Sequence, residues 1–450
     1  MPKIVLIGAG SVVFAQKLII DLITFPALQN STISLVDIDE ERLELITNLT
    51  ERLKKQENLP ITIECTTERK NVLPGADYVI NMIQVGGLDA YQLDVEIPRK
   101  YGIDQTVGDT LGPGGVFRGL RTIPALLDIA RDIEELCPQA LFINYTNPMA
   151  ILCWALNKAT RVKNVGLCHS VQGTARTLAE FIGIGAEDET EYQDENAKFS
   201  YKPLPQDIDY WVAGINHQAW FLEFKYKGED AYPLLWKAME NPEIYQQEIV
   251  RFEIMKHFGY FVTESSHHMS EYVPYFRKNP ELVRKFISER WDYYEICKEG
   301  LGPYQDKIRK QISGEEPIEI CRSLEYGSQI INAMETNQIV RINGNVENSG
   351  LITNLPCGSC VEVPCLVDRL GIHPCYVGNL PPQLAAINLS NINVQELAVI
   401  GALEKNKEAI YQAIYLDPLT SALLTLAEIK HMVDEMFEAE REYLPEEWYE

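Results

Sequence analysis

The sequence predicts an α/β protein, in which a Rossmann-like parallel sheet is followed by a mixed α+β part. Short β-branched runs alternate with amphipathic helical patterns in the first half, and this alternation weakens beyond about residue 195. Alternating strands and helices are typical of βαβ units. The chain has 450 residues, whereas single cores stop growing at ~250–300 residues. We therefore expect two domains, residues 1–195 and residues 196–450.

Six strand candidates define the predicted parallel sheet, and helical patterns follow most of them. The strands are predicted at residues 3–7, 33–36, 61–65, 78–82, 141–144 and 165–168. Apolar side chains recur at helical spacing most clearly at residues 11–22, 40–54 and 123–136. In the second part, long helical patterns cover residues 240–258, 280–312, 382–413 and 417–438, and a strand-rich interval runs from residue 338 to 365.

Composition argues against several classes of function. The formal net charge of −25, from 40 basic and 65 acidic residues, repels phosphate backbones and anionic membranes. No stretch approaches the ~20 apolar residues that span a bilayer, and no leader pattern precedes the first strand. The 10 cysteines are scattered as in a reduced cytosolic protein. We therefore expect a cytoplasmic protein with free thiols and no nucleic-acid or membrane partner.

The turn after the first strand has the pattern of a dinucleotide site. Gly8 permits a tight turn and Gly10 lets the backbone approach a pyrophosphate. Ser11 opens a helix whose first N–H groups can bind that anion. Val13 stands where a third glycine is usual, so the glycine pattern is weak by itself.

An acidic residue strengthens this interpretation. Asp37 follows the second predicted strand, where a carboxylate can accept both ribose hydroxyls of NAD and repel the 2′-phosphate of NADP. Arg42 lies in the same segment and joins the predicted cofactor residues. The competing interpretation is an ordinary helix start that Asp37 or Asp39 caps.

A cysteine and a histidine are candidates for a metal site, and a second histidine lies next to the cysteine. Cys168 and His169 lie at the carboxyl end of a predicted strand, where open α/β sheets bind ligands, and His217 interrupts a later apolar run. In isolation, such residues are more often a buried thiol and a loop histidine. Together, the Cys168 thiolate and the His217 imidazole could hold one divalent ion and leave coordination positions open for substrate.

Two loops are expected in the same cleft. Residues 108–115 are too glycine-rich for regular structure and bring Asp109 toward a nicotinamide or a sugar. Asn147 follows a strand and precedes a helix, where it can cap the helix or bind a substrate hydroxyl. Cys357 and Cys360 have zinc or redox spacing, but no second pair accompanies them, so we interpret them as part of a plain loop.

Together these motifs resemble family 4 of the glycoside hydrolases, over nearly the whole chain. The segments that carry the resemblance are residues 8–11, 37–42, 112–115, 147–148, 168–169, 214–217, 354–356 and 361–364. Members that cleave phosphorylated sugars have Cys-Asp-x-Pro at the metal cysteine. Residues 168–171 (Cys-His-Ser-Val) and 264–272 are instead similar to the α-galactosidase branch.

The resemblance implies roles for individual residues. Cys168 and His217 would bind the metal, usually manganese, and Asn147 would bind substrate hydroxyls. His169 stands where the phospho-sugar members have an aspartate, so it is our candidate acid.

The base stays open at this stage. His268 and Tyr272 both lie in the region where phospho-sugar members have a catalytic tyrosine, and Glu271 is adjacent. We choose His268 over Tyr272.

The resemblance also implies a reaction in which NAD oxidises C-3 of the sugar, a base removes the C-2 proton and the leaving group is eliminated. Water then adds at C-1 and the hydride returns. NAD and Mn²⁺, or another divalent metal, are the expected cofactors. A small glycoside is the expected substrate, and the chain is expected to form a homo-oligomer.

Three alternatives remain. The substrate could be an α-glucoside, α-glucuronide or α-galacturonide handled by the same family. An NAD-dependent dehydrogenase of a hydroxy acid or polyol would accumulate NADH. A non-catalytic redox sensor would use Cys168 or the Cys357 and Cys360 pair as its switch, and would turn over no sugar.

Overall fold

The computed structural model describes residues 1–185, 200–201, 204–205 and 207–449. Within these residues the strands form a twelve-stranded mixed sheet and a separate two-stranded sheet. The α/β class with a Rossmann-like parallel sheet is therefore confirmed. The predicted domain boundary at residue 195 lies outside the described residues and stays a prediction.

The first half of the chain supplies a parallel sheet. Its strands are β1 (Lys3–Ile7), β2 (Thr32–Val36), β3 (Thr62–Thr66), β4 (Tyr78–Asn81), β5 (Leu141–Asn144) and β6 (Asn164–Gly166). Their order is β3-β2-β1-β4-β5-β6, and every neighbouring pair is parallel. This is the doubly wound order in which ligands bind where the winding reverses, between β1 and β4. All six predicted strands are confirmed with small shifts at their ends.

Helices connect these strands. They are α1 (Val12–Ile23), α2 (Glu40–Glu57), α3 (Gly87–Lys100), α4 (Gly112–Leu136), α5 (Met149–Ala159) and α6 (Ser170–Phe181). The predicted helices at 11–22 and 40–54 match α1 and α2 closely. The helix predicted from residue 123 instead begins at Gly112.

The expectation that residues 108–115 form an irregular loop is thus wrong for residues 112–115. Pro113 suits the first turn of a helix, where no intrahelical donor is required. The glycines serve close packing: a Cβ added to Gly114 would lie 2.5 Å from the Asp94 carbonyl oxygen, and one added to Gly115 would lie 2.6 Å from the Thr110 carbonyl carbon. The glycine pattern therefore reflects a tightly packed helix start.

The second half adds eight strands, six of which extend the sheet by antiparallel pairing and two of which form a separate parallel pair. They are β7 (Ser200–Tyr201), β8 (Ile208–Ile215), β9 (Gln218–Tyr226), β10 (Glu229–Asp230), β11 (Cys321–Arg322), β12 (Val340–Glu347), β13 (Cys360–Asp368) and β14 (Gly371–Pro374). Beyond β6 the order is β12-β13-β8-β9-β10, with β14 beside β13, while β7 and β11 pair separately. Asn345 of β12 lies opposite Gly166 of β6, so the two halves share one sheet.

The second half also contributes eleven helices among the described residues. They are α7 (Tyr232–Ala238), α8 (Pro242–Gln247), α9 (Ile249–Phe258), α10 (Ser266–Glu271), α11 (Pro280–Phe286), α12 (Tyr293–Ser313), α13 (Tyr326–Thr336), α14 (Pro382–Glu404), α15 (Lys407–Leu416), α16 (Pro418–Leu423) and α17 (Leu426–Ala439). Each of the four long predicted helices is in fact two helices. Capping residues stand at the breaks: Asn406 accepts from Ala409 N, and Thr425 forms a capping box with Glu428.

The core runs through both halves. Val5 and Ile143 in the parallel strands and Val363 in β13 are fully buried members of one apolar cluster. This packing fixes the strands, and with them the loops at their carboxyl ends. Among the described residues, no helix is both long and apolar enough to cross a membrane.

Candidate active site

The turn between β1 and α1 is built from backbone contacts. Gly8 has φ +84°, and its N–H donates to the Val36 carbonyl at 2.9 Å. A Cβ added to Gly8 would lie 2.8 Å from the Met82 carbonyl carbon. Only glycine therefore fits the predicted tight turn, which packs directly against the end of β4.

The start of α1 is suited to an anion. Ser11 is the N-cap, and among the described residues its side chain accepts no capping hydrogen bond. The first turn of the helix also holds no acidic residue. The first N–H groups and the positive end of the helix dipole are thus left for a phosphate.

Asp37 lies against this turn. Its Oδ2 accepts from the Gly10 N–H at 2.7 Å, and a Cβ on Gly10 would meet the same oxygen at 2.7 Å. Asp39, rather than Asp37, caps α2 by accepting from the Arg42 N–H at 3.1 Å. The competing interpretation of Asp37 as a helix cap is therefore wrong. Arg42 Nε lies 3.1 Å from Asp39 Oδ2, so its side chain contacts this cap.

The predicted metal pair comes together from distant segments. Cys168 lies just beyond β6, and His217 lies in the short turn between β8 and β9. Cys168 Sγ is 3.1 Å from His217 Nε2. No group of three or more His, Cys, Asp or Glu residues suited to a metal occurs in the described part of the chain. These two side chains would therefore supply two ligands and leave the other coordination positions open.

Thr110 sets which His217 nitrogen faces Cys168. The Thr110 hydroxyl donates to Asp109 Oδ1 at 2.7 Å, and its oxygen lies 3.2 Å from His217 Nδ1. Because the hydroxyl proton goes to the Asp109 carboxylate, the oxygen accepts from Nδ1–H. The Nε2 lone pair is then directed at Cys168, as a metal ligand requires. Nothing in the sequence had pointed to Thr110 beyond its place in the glycine-rich segment.

Asn147 joins the same network. Its Nδ2 donates to Asp109 Oδ2 at 3.3 Å. Pro148, rather than Asn147, is the N-cap of α5, so the capping role considered from the sequence is wrong. Asp109 thus holds Thr110 with one carboxylate oxygen and Asn147 with the other.

Burial controls the Cys168 thiol. It raises the pKa of Cys168 from 9.0 to about 12 when no metal is bound, while His169 opposes the change. Burial therefore favours the protonated thiol in the metal-free chain. A divalent metal would displace that proton when it binds.

His268 lies beside the metal pair. Its ring centroid is 5.1 Å from that of His217, and its Nδ1 is 2.7 Å from Ser265 Oγ. Burial lowers the pKa of His268, which favours the neutral imidazole. Burial instead raises the pKa of Tyr272 above its ordinary value, which disfavours the phenolate that a base requires. Of these two candidates, His268 better fits a base.

Glu271 has a structural role instead. The buried carboxylate accepts from the N–H groups of Thr106, Val107 and Gly108 at 2.6, 2.9 and 3.1 Å. The Arg277 guanidinium lies 3.5 Å away. Glu271 therefore holds the segment that leads into Asp109.

His169 lies at the mouth of the site. Its side chain is 62% exposed, and Nδ1 is 3.3 Å from the buried Glu325 carboxylate. The hydrogen bond to Glu325 raises the pKa of His169 and favours the imidazolium.

Two buried polar groups that the sequence did not single out lie near the pair. Glu362 is fully buried on β13, opposite Gly214 of β8, and neither of its carboxylate oxygens has a hydrogen-bond partner among the described residues. The buried Asn216 amide, next to His217, also has none. Burial raises the pKa of Glu362 to about 8, and His217 opposes that rise. A charged residue inside the apolar run 361–364 was the available signal.

Family models match both halves of the chain. The model described as "Family 4 glycosyl hydrolase" matches residues 3–184, and "Family 4 glycosyl hydrolase C-terminal domain" matches residues 212–420. The chain therefore belongs to family 4 of the glycosyl hydrolases, and it is a glycosidase.

Two α-galactosidases are similar to this chain over nearly its whole length. The chain is 45% identical to an α-galactosidase of Bacillus subtilis strain 168, over 99% of this chain and 100% of the relative. It is 38% identical to an α-galactosidase of Rhizobium meliloti strain 1021, over 99% of this chain and 89% of the relative. The predicted likeness to the α-galactosidase branch is confirmed.

A solved structure shares the fold. It is a 6-phospho-β-glucosidase from Thermotoga maritima with manganese, NAD⁺ and glucose-6-phosphate, at a TM-score of 0.78 and 21% identity. The alignment covers 98% of this chain and 99% of that one.

Proposed function

We propose that the chain is an α-galactosidase that uses NAD and a divalent metal, with manganese as the expected ion. The observation that carries this proposal is the 3.1 Å approach of Cys168 Sγ to His217 Nε2 at the carboxyl edge of a sheet whose first turn is shaped for a dinucleotide. The α-galactosidase relatives support the substrate class.

The chain fits both groups. Gly8, Gly10 and Asp37 form a close-packed turn beside the open N-terminus of α1, which suits NAD. Cys168 and His217 offer a thiol and an imidazole, with the unpartnered Glu362 buried near His217. When bound, NAD would supply reversible hydride removal at C-3 of the sugar, and the metal would supply Lewis acidity at its C-2 and C-3 oxygens.

The residues around the pair have separate tasks in this proposal. Asn147, oriented by Asp109, binds a sugar hydroxyl. His268, oriented by Ser265, removes the C-2 proton. His169, at the exposed side of the cleft, gives a proton to the departing oxygen.

A panel of nitrophenyl α-glycosides tests the proposal. The α-galactoside should be hydrolysed only when NAD, manganese and a reductant are all present, with no net formation of NADH. The gluco, glucurono and galacturono analogues, assayed in parallel, test the other substrates of the family. Stoichiometric NADH would favour a dehydrogenase, and hydrolysis without NAD would contradict the proposal.

Variants test the metal assignment directly. Cys168→Ser and His217→Ala should abolish both hydrolysis and manganese binding while NAD binding persists, because the ligands lie outside the dinucleotide turn. The matched controls are Cys321→Ser and His257→Ala, two exposed residues that should change none of these measurements. Near-normal turnover of either ligand variant in metal-free buffer would refute the assignment.

A further inference from the structure

Two aromatic side chains extend the site toward solvent. Trp291 and Tyr293, here called the rim wall, have ring centroids 6.3 Å apart. The Trp291 ring lies 4.3 Å from His267 and 6.2 Å from His268, which itself lies 5.1 Å from His217. Aromatic contacts thus lead continuously from a candidate metal ligand to the rim wall.

A second chain of contacts returns from the rim wall to the site. The ring of Tyr293 lies 6.3 Å from that of Tyr91, and the Arg118 guanidinium lies 5.2 Å from the Tyr91 centroid. Arg118 Nε donates to the Asn147 carbonyl at 3.2 Å. Asn147 reaches His217 through the hydrogen bonds described above. The two chains of contacts close a circuit, so one network of contacts joins the rim wall to the metal pair.

Exposure increases along this network, from the metal pair to the rim wall. His217 is 4% exposed and His268 is 8% exposed, whereas Trp291 is half-buried and Tyr293 is 41% exposed. A sugar whose C-2 and C-3 oxygens reach Cys168 and His217 would therefore fill the buried end. The group attached to C-1 would extend toward the rim wall.

The backbone of the rim wall is held in place by ion pairs. Trp291 lies between Arg290 and Asp292 in the chain. Arg290 donates two hydrogen bonds to Asp104 at 2.6 and 2.8 Å, and Asp292 accepts from Arg99 at 2.8 Å. Fixing a surface before a ligand arrives reduces the entropy lost on binding. The aromatic rings are thus presented by an anchored segment.

We propose that the rim wall binds the sugar that leaves, by stacking Trp291 and Tyr293 against its C–H face. A pyranose has an apolar face made of C–H groups, and aromatic rings combine that apolar contact with tolerance of nearby water. Trp291 and Tyr293 would then set how strongly the sugar leaving group is bound. This inference rests on the proposed function.

Two substrates with the same galactosyl group test the proposal on the enzyme loaded with NAD and manganese. One is a disaccharide of galactose α-linked to glucose, and the other is α-galactosyl fluoride, which has no leaving sugar. Trp291→Ala and Tyr293→Ala should each lower kcat/KM for the disaccharide about three- to tenfold, mainly through KM. The fluoride should be cleaved as in the wild type, and Trp291→Phe should restore most of the loss.

Trp236→Ala is the matched control, because Trp236 is 37% exposed on α7 and lines a different groove with Tyr232 and Tyr260. It should leave both substrates unaffected. Equal losses on both substrates in the rim-wall variants would overturn the proposal, since that pattern indicates disturbance of His268 rather than of a leaving-group site. If the wild type cleaves neither substrate, the proposed function itself fails and the rim-wall assignment fails with it.

Discussion

The candidate dinucleotide turn and the candidate metal site lie on the same edge of the sheet but are built in different ways. The turn comes from one stretch, residues 8–42, and its shape is fixed by backbone groups at Gly8 and Gly10. The metal site gathers Thr110, Cys168 and His217 from three separate segments. A local backbone device leaves a readable pattern in the sequence, whereas a side-chain network across the fold does not.

The turn and the candidate metal site should also be sensitive to different kinds of substitution. In the turn, the critical distances run from a Cβ that glycine lacks to the Met82 backbone at Gly8 and to the Asp37 side chain at Gly10, so steric change is the effective perturbation. In the metal site, the critical feature is the direction of a lone pair, so removing a hydrogen bond is sufficient. Substitutions chosen on this basis separate cofactor binding from metal binding.

The largest effect is expected from Gly10→Ala. The new Cβ would lie 2.7 Å from Asp37 Oδ2, so the turn or the carboxylate must move. NAD binding, measured by calorimetry, should fall below detection. Hydrolysis should be lost as well, while manganese binding stays normal.

Gly300→Ala is the control for this substitution, because a Cβ there meets no atom within 4 Å. It should behave as the wild type. Normal NAD affinity in Gly10→Ala would show that the turn is not the cofactor site.

A smaller effect is expected from Thr110→Val, which keeps the shape of the side chain but removes the acceptor for His217 Nδ1–H. Loss of such a supporting hydrogen bond typically weakens metal binding about 10–100-fold. Manganese titration should show this loss with NAD affinity unchanged. Thr110→Ser retains the hydroxyl and should restore the affinity; equal weakening in both variants would contradict the assigned role.

The sequence predicted the locally built parts of the structure better than the parts that depend on contacts between distant segments. The parallel strands and the Gly8 to Asp37 turn were predicted closely, because short β-branched apolar runs and glycine turns are local signals. Cys168 and His217 do lie together, as expected from a cysteine at the carboxyl end of a strand and a histidine that interrupts an apolar run. The link from Thr110 to His217 depends on packing across the sheet, which no local pattern records, whereas Glu362 left a local signal as a charged residue in the apolar run 361–364.

The wrong predictions also came from local sequence patterns. Residues 112–115 were expected to be irregular because glycine disfavours helices, but close packing against Asp94 and Thr110 outweighs that preference. The long helices of the second half were predicted as continuous because their apolar spacing continues across caps such as Asn406. Tertiary contacts therefore overrode propensity at the site, and capping overrode periodicity away from it.

A third location lies apart from both the turn and the candidate metal site. Asp21 is fully buried on α1, the helix that follows the dinucleotide turn, and it accepts from Ser323 N at 2.7 Å and Ser323 Oγ at 2.5 Å. Burial raises the pKa of Asp21 from 3.8 to about 7, although both hydrogen bonds from Ser323 oppose that rise. Neither the turn nor the metal site contains this residue, so its substitution should affect stability alone.

The smallest effect on activity, and a pH-dependent effect on stability, is therefore expected from Asp21→Asn. Because the folded pKa lies above the unfolded value of 3.8, the folded chain retains a proton that the unfolded chain releases. This stabilisation is complete below about pH 4 and is lost as the pH rises to about 7, by on the order of a few kcal/mol. Asparagine stays neutral, so the variant should match the wild type in Tm near pH 4 and exceed it above pH 7.

Asp128→Asn, at a position 60% exposed, should show no such divergence. Parallel Tm curves for Asp21→Asn and wild type would mean that Asp21 is ionised in the folded chain across this range.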